Sequence, residues 1–245
     1  MAAAAASTSP RLLPRVAQVR ASILEAAREL FAARGLHKVT MADVAEAAGV
    51  VRATVFNHFG TKHALVDAIT AEVLQGYVLL LDGALTDRQT PTPVLLRTLF
   101  EWMGRGIEEN ERFYRAVFRE IAKLSLGLDE GSEAEAKRRV ALERLLALHT
   151  RGQARGELVR SQPPEHLASA FDALVFGTII HWLYEDSGEP LHLRMLRAAD
   201  LLLGGIAVLP EAEYRGPAPQ LLPDAIANRP ARPTGAPGRR RRRHA

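Results

Sequence analysis

Cysteine is absent from the 245 residues. That absence removes a disulfide framework, a thiolate metal site and a cysteine nucleophile together, and it favours a reducing cytoplasm. The opening "MAAAAASTSP" has no basic n-region and no long Leu-rich stretch, so a secretory signal is not expected. The most apolar later run, "ALVFGTIIHWLY" from Ala173 to Tyr184, falls short of the roughly 20 residues of a membrane span and predicts a buried helix, with no membrane partner. Catalytic signatures are missing too. There is no G-x-S-x-G and no Walker loop, and "GRGIEE" from Gly104 lacks both the third glycine of a dinucleotide fingerprint and a preceding strand. His181 and Glu185 form a single i, i+4 pair without a third ligand. No catalytic residue, cofactor or metal is expected.

What is present is enough apolar material, 47% of residues, to bury the core of one large or two modest domains. The net charge of +4 divides unevenly along the chain. Residues 1–62 hold eight Lys/Arg against four Asp/Glu, residues 63–209 sixteen against twenty-one, and residues 210–245 eight against three. Basic ends around an acidic middle suit contact with a polyanion, although ordinary solvated faces give the same numbers.

Helical periodicity dominates. Ile23, Leu24, Ala27, Leu30 and Phe31 recur at helical spacing, and Gly35 ends that helix. Thr40 with Asp43 three residues on is close to a capping box and starts a second helix, Met41 to Ala48. Gly49 ends it, a third runs from about Val51 to Phe59, and Thr61 caps a long fourth. Past "TDRQTPTP", further helices are predicted over 94–109, 111–123, 133–153, 165–184 and 191–209, with no strand, internal repeat or sustained heptads. Residues 1–15 are expected to be a flexible segment, and the Pro- and Arg-rich residues 210–245 a flexible tail.

The chemistry concentrates in "GVVRATVFNHF", Gly49 to Phe59. Ala45 is small where the following helix must cross, Gly49 permits the turn, and Val55 plugs the gap, which together fit a helix-turn-helix. With Val50, Val55 and Phe59 turned inward, the outer side is free to enter a groove. Arg52 suits guanine O6/N7, Ala53 leaves room for a thymine methyl, and Thr54, Asn57 and His58 are short donors able to reach phosphate. Lys62 adds a positive charge at the start of the fourth helix.

"ILEAARELFAARGLHKVTMADVAEAAGVVRATVFNHFGTKHALV", Ile23 to Val66, resembles the DNA-binding domain of TetR/AcrR-type transcriptional regulators without a gap. The resemblance implies an all-α homodimer: a three-helix helix-turn-helix head (residues 16–62) joined by a long helix to a helical ligand-binding and dimerisation domain (63–209). By motif position it implies base contacts from Arg52, Ala53 and Phe56, and phosphate contacts from Thr40, Thr54, Asn57, His58 and Lys62. Two departures stand out. Val51 replaces the polar N-cap often found at the recognition helix, and Phe56 replaces the usual Tyr, removing a hydroxyl.

In the middle domain Phe100, Trp102, Met103, Phe113, Phe118, Phe171, Phe176 and Trp182 bring aromatic and soft apolar groups to helices that either surround a greasy cavity or form ordinary core. Arg105, His181 and Tyr184 are the candidate polar anchors of such a cavity. The two last helices match the position of the family's dimer interface, with Gly177, Gly204 and Gly205 allowing close approach, and paired heads imply a palindromic double-stranded DNA operator. The leading expectation is a cytoplasmic, nucleoid-associated bacterial repressor released by a small, largely apolar effector. A non-specific DNA-coating protein and a helical-bundle enzyme acting on an apolar small molecule are the other classes. Arg239 to Arg243 would add phosphate attraction in the first two, and serve equally as a solvated tail.

Overall fold

Ten α-helices and one short 3₁₀ turn make up a computed structural model that describes residues 12–125, 131–185 and 188–215. They are α1 (Leu12–Arg34), α2 (Met41–Ala47), α3 (Arg52–Phe59), α4 (Lys62–Thr86), α5 (Thr92–Glu109), α6 (Glu111–Ser125), α7 (Glu133–Ala154), α8 (Pro164–Tyr184), α9 (Leu191–Ile206) and α10 (Glu211–Tyr214). Among the described residues the only extended pairing is an isolated bridge between Leu158 and Ala207. The all-helical class expected from periodicity is what forms.

Two ends differ from the sequence expectation. α1 begins at Leu12, inside the segment predicted to be flexible, and well before the apolar stripe that starts at Ile23. A four-residue helix, Glu211–Tyr214, stands where the tail was predicted to begin, because Tyr214 is 2% exposed against the core. Residues 1–11 and 216–245, with Arg239 to Arg243, lie outside the described residues.

α4 organises the rest. Its side toward the head buries Leu65, Val66 and Ile69, while Leu74, Val78, Leu81 and Ala84 are buried further along. α4 and α7 run in the same direction: Asp67 meets the start of α7, Asp82 bonds Arg144 at 2.8 Å, and the end of α4 meets Arg151. Parallel neighbours align their dipoles unfavourably, and charges at the ends offset this. Asp67 Oδ2 and Oδ1 accept the amides of Glu133 and Ala134 at 3.1 and 3.2 Å, and Arg151 donates to the carbonyls of Ala84, Leu85 and Asp87 at 3.0 to 3.1 Å.

α5 and α9 pack antiparallel. Arg97 bonds Asp200 at 2.8 Å near one end, and Glu108 holds His192 at the other. Gly104 is why they approach so closely: a Cβ there would lie 2.6 Å from the His192 Cα. The "GRGIEE" glycine that fails as a nucleotide fingerprint is a packing glycine. Carboxylates from elsewhere cap helices whose own N-caps are prolines. Glu157, itself buried, accepts the Thr92 amide of α5 at 2.8 Å, and Glu108 accepts the His192 amide of α9 at 2.8 Å.

α8 departs from the expected buried helix. It extends back to Pro164, so that α4 and α8 are both long and apolar enough to cross a membrane by length and composition. Burial separates them: half of the apolar window of α4 is buried, but only 33% of that of α8. Phe171, Val175, Ile179 and Leu183 face the core, and the opposite stripe has less cover among the described residues.

Gly104→Ala is expected to destabilise by about 1 to 3 kcal/mol, the usual penalty of overpacking. Gly106→Ala, where an added Cβ meets nothing within 4 Å, is expected to gain about 0.5 to 1 kcal/mol from helix propensity. Thermal unfolding of the two variants checks the contrast, and equal behaviour would refute the close-contact account.

Candidate nucleic-acid interface

The head is held together from inside. Ile23, Ala27 and Phe31 of α1, Val44 and Ala45 of α2, and Val55 of α3 are 0 to 3% exposed. Gly49, at φ 67°, turns the chain between α2 and α3, and the Val50 amide returns to the Ala45 carbonyl at 3.0 Å. At the start of α2 Thr40 Oγ1 accepts the Asp43 amide at 3.2 Å, while Asp43 Oδ2 accepts the Thr40 amide at 2.7 Å. This is a complete capping box, with Asp in the place more often held by Glu or Gln. The Thr40 hydroxyl, then its amide, hold the Asp43 carboxyl below its ordinary pKa.

α3 has no such support at its start. Val51 occupies the N-cap, makes no side-chain cap bond and is 70% exposed. The helix is kept by its inner side: Val55 is fully buried and Phe59 is 8% exposed, with the Arg20 guanidinium 4.7 Å over the Phe59 ring. Its outer side is uncovered. Arg52, Ala53 and Asn57 are exposed, Thr54 and His58 half-buried, and Phe56 is 37% exposed. Arg52 and Phe56, one turn apart, form a unit in which the guanidinium lies 5.1 Å over the ring. Thr40 is exposed at the start of α2 and Lys62 half-buried at the start of α4. Thr61 caps α4, accepting the Ala64 amide at 3.1 Å. The structure thus brings Arg52, Ala53, Phe56 and Asn57 onto one exposed flank, with Thr40 and Lys62 at the termini of the adjacent helices.

The aromatic residues of the middle domain meet in separate pairs within one core. Phe100 and Phe171 meet edge to face at 4.7 Å, whereas Phe118 stacks on Phe176 at 5.2 Å. Phe113 meets Tyr114 at 5.4 Å, and Trp102 and Met103 are half-buried. The Trp182 indole donates to the Glu189 carbonyl at 2.8 Å. The three polar anchors expected among them are elsewhere. Arg105 pairs with Glu101 on the surface, His181 pairs with Glu185 with its side chain 70% exposed, and Tyr184 is 64% exposed. They stand on the solvent sides of their helices, and His181 lines the open groove on α8. Four buried polar atoms among the described residues lack a hydrogen-bond partner, and the sequence analysis singled out none of their residues: Tyr77 Oη, Thr92 Oγ1, His149 Nε2 and Arg151 Nε.

On the outer side of α8 an open groove of about 460 Å³ is lined by Ala173, Leu174, Gly177, Thr178, His181 and, beyond them, Glu185 and Arg194. A Cβ added at Gly177, Gly204 or Gly205 would meet nothing within 4 Å among the described residues. No helix among the described residues uses the close approach they permit.

The fold and head define an all-helical protein with an N-terminal helix-turn-helix carried on a larger helical domain. Comparison with known proteins makes the class specific. Residues 23–69 match the family described as bacterial regulatory proteins, tetR family. The HTH-type transcriptional repressor KstR2 of Rhodococcus jostii is 39% identical over 59 residues, which are 24% of this chain and 27% of that protein. The HTH-type transcriptional repressor BepR of Brucella suis is 23% identical over 187 residues, 74% of this chain and 88% of that protein. The solved structure of SmeT, the repressor of the Stenotrophomonas maltophilia multidrug efflux pump SmeDEF, has a TM-score of 0.66 at 25% identity, covering 82% of this chain and 97% of that one. The first curated relatives are matched over about a quarter of their own length, 27% and 25% for the first two. The strong sequence likeness is therefore confined to the head, and the remainder is shared as fold.

Two measurements test the local chemistry. Val51→Ser is expected to stabilise by about 0.5 to 2 kcal/mol, by supplying the missing cap acceptor; an unchanged melting temperature would contradict it. The Asp43 carboxyl should titrate below 3.8 by NMR and move upward in Thr40→Val. Because the folded value is depressed, the stabilisation is present above the unfolded pKa and is lost as pH falls through the folded one.

Proposed function

We propose that this protein is a sequence-specific DNA-binding transcriptional regulator, a repressor released from its operator by a small, largely apolar effector. One observation carries the proposal: α3 buries Val55 and Phe59 behind it and leaves Arg52, Ala53, Phe56 and Asn57 uncovered on a single flank. An eight-residue helix whose polar side has no role inside the chain fits the width of a major groove. Arg52, steadied on Phe56, reads a guanine edge. Thr40 and Lys62, each in the first turn of a helix, take the flanking phosphates with Thr54, Asn57 and His58. KstR2, BepR and SmeT, each named a repressor, support the sign of regulation.

Two copies are needed to read both halves of a palindrome. The less covered stripe of α8 and the exposed side of α9, where Leu201 is 76% exposed, supply the pairing face. Gly177 and the Gly204 and Gly205 pair let the partner's helices approach. The recognition helices then stand about 34 to 36 Å apart, one turn of DNA. Such a dimer works in the cytoplasm, on the chromosome. The effector acts through α4, whose first turn carries Lys62 and whose last carbonyls are tied to α7 by Arg151. Its differential affinity for two spacings of the heads supplies the release.

Competition binding at fixed salt is the primary test. The operator found by genomic footprinting should be preferred over random DNA by roughly 10³ or more, and equal affinity would leave a non-specific coating protein instead. Arg52→Ala is expected to cost about 1 to 3 kcal/mol and to relax base preference at one position per half-site. Lys62→Ala should weaken all sequences alike and reduce the salt slope by about one. Equal losses on operator and random DNA for Arg52→Ala would remove its assigned role.

A further inference from the structure

α3 starts less well than the helices around it. Thr40, Thr61 and Ser132 cap α2, α4 and α7, each accepting a first-turn amide on its side-chain oxygen. α3 lies between two of these helices and begins with Val51, extended at φ −73° and ψ 148°, which has no such oxygen to offer. A serine there would accept the amide of Ala53 or Thr54. The valine leaves that bond unmade and holds its methyl groups in the open. Among the described residues the two most exposed large apolar side chains are Leu201, at 76%, and Val51, at 70%. Leu201 lies on the side of α9 assigned above to pairing, whereas Val51 stands at the tip of α3. Arg52 does not cover it, because the guanidinium is drawn to Phe56 one turn on, 5.1 Å over the ring. Ala53, also exposed, extends the apolar edge. A single exposed valine on a protein surface needs no explanation. One that displaces a cap, at the end of the helix that enters the groove, does.

We propose that Val51 is a specificity-determining residue of the interface, and that its methyl groups pack on the C5 methyl of a thymine within one base step of the guanine read by Arg52. This rests on the regulator reading above and adds a second base to it. The first residues of a recognition helix are the ones that meet base edges, and Val51 and Arg52 are neighbours there. The major groove offers one methyl group, that of thymine. A valine side chain makes no hydrogen bond, so it gains only from that methyl. Against a purine it would bury the N7 acceptor without replacing its hydrogen bond to water, and against cytosine it would meet no methyl. The helix is less stable by the missing cap, and its tip carries instead a group that thymine alone can use.

The test uses the full-length protein and the operator found by footprinting, with each thymine of a half-site replaced singly by deoxyuridine. That replacement removes the C5 methyl and keeps every hydrogen-bonding edge and every phosphate. At one thymine per half-site, within a base step of the position whose preference Arg52→Ala relaxes, the wild-type protein should bind about fourfold more weakly, the contribution of one buried methyl. This readout needs no variant to fold. Val51→Ala and Val51→Ser should each bind the thymine and uracil operators alike at that position. Val51→Ser should do so with its melting temperature raised by the restored cap, which separates lost base reading from lost folding. A half-site with no thymine in that place, equal wild-type affinity for thymine and uracil there, or a sensitivity that survives in both variants would overturn the inference. Equal affinity of the wild-type protein for operator and random DNA would defeat the regulator reading and this inference together. Operator preference intact with uracil tolerated at every position would defeat this inference alone.

Discussion

α4 has to satisfy two cores at once, and this constraint shapes the rest of the molecule. Leu65 and Ile69 complete the small interior of the head beside α1, α2 and α3, while Leu81 and Ala84 belong to the larger domain. A single 25-residue helix therefore joins the two parts with no hinge between them. Because α7 lies beside it in the same direction, the pair needs negative charge at one end and positive charge at the other. Asp67 and Arg151 supply both as hydrogen bonds to the helix ends. A shift of α7 is thus felt at both ends of α4.

The candidate interface follows from a similar division of labour. α3 has a poor start at Val51 and only eight residues, too few for a helix to be stable by itself in water. It persists because Val55 and Phe59 are buried, which commits one side to packing and frees the other. Arg20, reaching over Phe59 and towards Glu133, closes the same corner from α1. The outer flank contributes little to holding the head together.

Much of this was legible in the chain. The period of Ile23, Leu24, Ala27 and Phe31, the Thr40 and Asp43 capping pair, and the sequence Ala45, Gly49, Val55 specify local geometry through neighbours a few residues apart, and all appear in the head as expected. The absence of a cap at Val51 was equally visible. Interior polar groups were not. Arg105, His181 and Tyr184 belong to helices rich in aromatics, but each stands on the outward side. His149 sits in an Arg-rich segment, "KRRVALERLLALHTR", one turn beyond the buried Leu145, and the sequence analysis did not single it out.

Helix content, the turn at Gly49 and the two sides of α3 were determined by the sequence alone, because hydrogen bonds and apolar periods within one or two turns decide them. Tertiary structure alone decided which carboxylate caps which helix: Glu157 for α5, Glu108 for α9 and Asp67 for α7. It also decided that Gly104 lies against His192 and that, among the described residues, α8 is less buried than α4 and His149 Nε2 has no hydrogen-bond partner. Each of these joins residues that are distant in the chain, and no local rule reaches that far.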